Sequence, residues 1–90
     1  MNKDRRKLLQ ELRERIESAK QDLEEIRSEL ESPRDEEQEY ADNMPENMQY
    51  SEKHDRAEEV VSILDTALSY IDDATSNLDE AVSSIEEAAE

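Results

Sequence analysis

Few residues of this 90-residue chain have side chains suited to chemistry. There is one histidine, His54, and no cysteine. A carboxylate-bridged di-metal centre in a helical bundle needs a Glu-x-x-His step facing a shared interior. The residue three before His54 is Ser51, so that step is missing. His54 and Glu58 are four apart and would share a helix face, enough for a surface metal contact. The plainer reading, a solvated histidine in the first turn of a helix, is preferred. Asp72-Asp73 and Glu86-Glu87 lack the ligand spacing and the glycine of a calcium loop, and read as solvated helix face. The hydroxyl residues have a single histidine and no glycine to work with, which excludes a nucleophilic triad and a glycine-rich phosphate cradle. The expectation is a non-enzymatic protein with no metal and no cofactor.

One stretch has a composition that helix formation and solubility leave unexplained. Between residues 43 and 51 the chain reads Asn-Met-Pro-Glu-Asn-Met-Gln-Tyr-Ser. With Tyr40 just before it, this places Tyr40, Met44, Met48 and Tyr50 around what should be a solvent-facing bend. Methionine is soft and adaptable, and tyrosine is an interface residue. These four are the candidate partner-binding residues. Their alternative role is to plug the open end of a helical bundle, with Pro45 opening a short helical turn.

The elements that must position them follow from heptad spacing. Leu9, Leu12, Ile16, Ala19, Leu23, Ile26 and Leu30 recur at alternating steps of three and four, a narrow coiled-coil seam. Asn2 or Asp4 is placed to cap this helix. Pro33 lacks an N–H and crowds the carbonyl of Glu29. The heptad phase nevertheless runs on through Pro33, Glu37 and Tyr40 to Met44, so the expectation is an arm over 3–42 kinked at Pro33. Ser51 then caps a second arm over 52–89. Its apolar positions are Ala57, Val60, Leu64, Ala67, Ile71, Ala74, Leu78, Ala81, Ile85 and Ala88, flanked by Val61, Leu68 and Val82. Folded at 43–51, the arms set Leu9 against Ile85, Ile16 against Leu78, Leu23 against Ile71 and Leu30 against Leu64. The same register brings Arg5, Arg6 and Lys7 beside Glu86 and Glu87.

The fold class expected is therefore all-α: one domain over 1–90, a long antiparallel helical hairpin. Two helices enclose little core, and chains below roughly 70–80 residues gain only ~3–5 kcal/mol from one. The wide apolar face of the second arm therefore implies a homodimer, as a four-helix bundle or coiled coil.

Charge narrows the partners. The net charge is −16, and 42% of residues are charged. Residues 1–30 carry eight Lys/Arg and eight Asp/Glu, so residues 31–90 hold the whole imbalance. From Ala57 to Glu90 there is no basic residue. Such a surface repels nucleic acid and anionic membranes; it either keeps the protein soluble, the plainer reading, or suits a basic protein partner. No apolar run approaches the ~20 residues that span a bilayer, and no signal-peptide core is present, so the location expected is cytoplasmic.

The segment Asp42-Asn43-Met44-Pro45-Glu46-Asn47-Met48-Gln49, followed by Ser51-Glu52, resembles a segment of small acidic helical proteins of unknown function encoded in phages and mobile elements of Gram-positive bacteria. In those chains too it lies between a charged first helix and a second one rich in Ile, Leu, Ala and Glu. The resemblance implies a phage or mobile-element origin and a small protein that binds a host or phage protein. Two functions follow as expectations. One is a protein–protein interaction module. The other is an acidic inhibitor that mimics nucleic acid and occupies the basic groove of a DNA- or RNA-binding protein.

Overall fold

A computed structural model describes residues Met1–Glu90. It is all-helical: α1 spans Lys3–Asp42, a 3-10 turn spans Glu46–Met48, and α2 spans Glu52–Ala89. The two long helices form a hairpin without strands. Asn2 caps α1, its Oδ1 accepting from the Arg5 N–H at 2.8 Å. Helix α1 runs without interruption through Pro33, on the exposed side of the helix. Neither helix is long and apolar enough to cross a membrane.

The hairpin consists of two compact units, Met1–Glu25 with Ile71–Glu90, and Ile26–Tyr70. In each, α1 packs against α2 by the same chemistry. In the terminal unit, Leu9 and Ile85 line one cleft, and Ile85 also lines one with Leu12 and Ile16. Glu86 takes its ion pair from Arg13, at 2.7 Å, not from Arg5, Arg6 or Lys7. Lys20 pairs with Asp79. In the bend unit, Arg34 forks onto Asp65 with contacts of 2.8 and 3.3 Å. Each cation lies four residues after a seam residue (Leu9, Ile16, Leu30), and each carboxylate lies one after Ile85, Leu78 or Leu64. The ion pairs therefore close one flank of the seam.

This arrangement shifts which columns are buried. In α2 the column read as a flank holds three of the four buried aliphatic side chains, Val61, Leu68 and Val82, the fourth being Ala57 of the expected seam. Val60, Ala67, Ala74 and Ala81 are only half-buried, and Ala88 is exposed. In α1, Ala19 and Ile26 stand exposed where a seam was expected, while Arg13, Lys20, Arg27 and Arg34 are half-buried. The reason is that a long cationic side chain can lay its methylenes over an apolar face while its head reaches a carboxylate. Helix α1 is rotated toward that contact. The cost is visible at Arg13, whose Nε is buried without a hydrogen-bond partner.

Candidate functional site at the bend

The chain reverses between Asp42 and Glu52 without glycine, and no residue has positive φ. It does so through stacked short-range hydrogen bonds. The N–H of Asn43 donates to the Glu39 carbonyl at 2.9 Å, and that of Met44 to the Ala41 carbonyl at 3.3 Å. Pro45, at φ −55° and ψ 151°, breaks the helix and opens the 3-10 turn. Its carbonyl accepts from the Met48 N–H at 2.8 Å. The Gln49 side chain donates to the Met44 carbonyl at 3.1 Å. Ser51 locks both sides. Its hydroxyl donates to the Met48 carbonyl at 2.7 Å and accepts from the His54 N–H at 3.2 Å, capping α2. The bend is thus a hydrogen-bonded closure.

Of the four candidate residues, the structure brings three together. Tyr40, Met44 and Met48, with Pro45 and Asn43, line a cleft of about 530 Å³ whose rim carries Glu36 and Glu39. Met44 is its buried floor, Met48 is half-buried and Tyr40 is half-exposed. Tyr50 is 95% exposed and belongs to none of this. Tyr40 also lines a second cleft, of about 360 Å³, with Glu37, Glu52, Lys53, Arg56 and Ala57. An apolar floor with a carboxylate rim can take an apolar side chain carried beside a cation.

His54 departs from the solvated position expected of it. It is only 7% exposed. The signal was present in the sequence, since 54, 57, 61, 64 and 68 continue one three-four series along α2. The ring Nδ1 is buried without a hydrogen-bond partner, and Nε2 lies 3.6 Å from a Glu58 carboxylate oxygen, too far for a good hydrogen bond. Ligand atoms of His54, Asp55 and Glu58 lie within 4.8 Å of one another. A cation on Nε2 would leave the ring proton on Nδ1, buried and without an acceptor.

Ion pairing in the bend unit is directional. The Arg34 fork holds the Asp65 carboxyl below its ordinary range, chiefly through its hydrogen bond, against desolvation and with a lesser contribution from charge. Arg34 itself is raised by its hydrogen bonds to Asp65 and Asp35. In the terminal unit Lys20 is raised, chiefly by its hydrogen bond to Asp79.

No protein-family model, no curated protein and no solved structure matches the chain, so it is placed by its fold, a two-helix hairpin.

Proposed function

We propose that the protein is a non-enzymatic interaction module that docks a protein partner at the bend and acts as a homodimer. What supports the docking is one observation: Tyr40, Met44 and Met48 converge on a single cleft with a buried methionine floor and two carboxylates on its rim. A docked segment would bury an apolar side chain against the methionines and set a Lys or Arg against Glu36 or Glu39. What supports the dimer is the thin core, in which no large side chain is fully buried. In this reading α1 bends at Pro33 as it wraps the bundle, because the ring crowds the Glu29 carbonyl. A phage or mobile-element origin, with a host or phage protein as the partner, belongs to the same proposal and rests on the resemblance of the bend segment.

The runner-up is mimicry of nucleic acid by the carboxylates of α2. Asp65, Asp79 and Glu86 are already held by Arg34, Lys20 and Arg13, which leaves a shorter acidic array for a basic groove. Capture from cells with the wild-type chain as bait, repeated with Met48→Ala and Tyr40→Ala, tests the leading reading. The partner should be lost with either variant and kept at moderate salt. Capture that ignores both variants but collapses with salt, and that displaces DNA from the partner, would establish mimicry in its place.

A further inference from the structure

The two flanks of the bend unit are chemically opposite. At about 100° per residue, Ile26 and Tyr40 lie on the other side of Leu30 from Arg34. Val60, Ile63, Ala67 and Tyr70 lie on the other side of Leu64 from Asp65. Tyr40 shares a cleft with Lys53, Arg56 and Ala57, which fixes these residues of α1 and α2 on one flank. The flank opposite is closed by the Arg34–Asp65 fork. This one is open: Ile26 is 49% exposed, Ile63 53% and Tyr70 70%. Scattered exposed apolar residues need no explanation, but a contiguous set on one flank does.

Resting on the homodimer reading above, we infer that this open flank of residues 26–70 is the seat of a second copy of the chain. Three observations select that occupant. The first is charge. Between Arg56 and Tyr70 the carboxylates of α2 are Glu58, Glu59 and Asp65. Each already faces a cationic or imidazole side chain: His54, Arg56 and Arg34 respectively. Between Arg56 and Tyr70 the α2 side of the flank therefore carries little uncompensated acid, which lowers the repulsion between two chains of net charge −16 meeting there.

The second observation is self-complementarity. Arg56 is level with Glu37 and Tyr40 across the hairpin, hence with Glu36. A two-fold axis parallel to the helices sets α1 of one copy over α2 of the other at equal height. Arg56 then meets Glu36 of the second copy, twice by symmetry, with Ile63 and Tyr70 packed against Ile26 of the second copy further along the helices. Tyr40 ends the apolar patch, so the Met44–Met48 end of the bend cleft stays free.

The third is area. The chain exposes 6858 Å², against about 5,400 Å² for a compact monomer of its mass. The surplus exceeds the roughly 800 Å² per partner of an ordinary stable interface.

Sedimentation equilibrium on the full chain tests this, with helicity followed by circular dichroism. The wild type should be a dimer at micromolar concentration. Ile63→Glu with Tyr70→Glu should be a helical monomer. Arg56→Glu should raise the dimer dissociation constant about tenfold or more, and Arg56→Glu combined with Glu36→Arg should restore it. A wild-type dimer untouched by these changes overturns the placement on this flank and leaves the homodimer standing. A wild type that stays monomeric at high micromolar concentration overturns both. Weakening by Arg56→Glu without rescue by the swap overturns the two-fold register.

Discussion

Nearly all burial lies in one of the two units. Ala41, Met44, His54, Ala57, Val61 and Leu68 are buried in the unit that contains the bend, while the unit of paired termini buries only Val82. Composition does not explain this, because the terminal unit has the bulkier seam: Leu12, Ile16, Leu23, Ile71, Leu78 and Ile85, all only half-buried. What differs is the number of directions from which a side chain is covered. Two helices shield a seam from one side each. At the bend the chain itself supplies a third cover, Met44 and the 3-10 turn, and small residues at 41 and 57 let the pieces approach. Burial in a two-helix protein is thus set by where the chain turns more than by where its largest residues sit.

The largest expected effects break the comparison directly. Leu68→Ala, in the bend unit, should cost about 2–3 kcal/mol in urea unfolding at fixed protein concentration. Val82→Ala should cost about 1–2 kcal/mol, as the one buried anchor of the termini. Equal or inverted costs would show that the static burial misplaces the core. Hydrogen exchange sharpens the same contrast without mutation. Amides in 26–70 should exchange at least about tenfold more slowly than those in 1–25 and 71–90, because local opening follows the density of buried contacts. Uniform protection along both helices would mean that the termini are covered by something the single chain lacks. Next in size is the helix cap. Ser51→Ala removes both hydroxyl hydrogen bonds at the start of α2 and should cost about 1 kcal/mol, read as an earlier urea midpoint with unchanged slope.

The hairpin was legible because its signals are local. Heptad spacing, the Asn2 and Ser51 caps and the loss of pattern at 43–51 place both helices and the turn. The facing columns were not legible. A seam of Leu and Ile beside a column of Arg and Lys reads as core beside solvent. Yet Arg13, Lys20 and Arg34 pack their stems inward, because acids one step past Leu64, Leu78 and Ile85 draw them there. Those carboxylates recur at 65, 79 and 86, seven or fourteen apart, so a search for matched charge columns between the arms would have found the rotation. His54 was missed for a similar reason: a polar residue at a seam position was taken to be outside the seam. The bend residues were legible as unusual. That three of them share a cleft and Tyr50 does not depends on the 3-10 turn, whose start at Pro45 is written in the sequence but whose angle is not.

The smallest expected effects compare the ion pairs of the two units. Asp65 is held below its ordinary value of 3.8 by Arg34. Its contribution is therefore present above that value and is lost as pH falls through the lowered one. The stability difference between wild type and Arg34→Gln should be flat from neutral pH down to about 4 and should shrink in more acid solution. Lys20 is held above its ordinary 10.5, chiefly by Asp79. Its contribution is present below that value and is lost as pH rises through the raised one, so the difference between wild type and Lys20→Gln should close at the alkaline end. Both pairs are open to solvent, so both differences should be small and should fade with added salt. Titration separates them at the alkaline end, where Lys20 loses its charge before Arg34 does. If Arg34→Gln and Lys20→Gln instead lose stability together at the same pH, the two units do not hold independent pairs, and a single charge field along the helices would account for the closed flank.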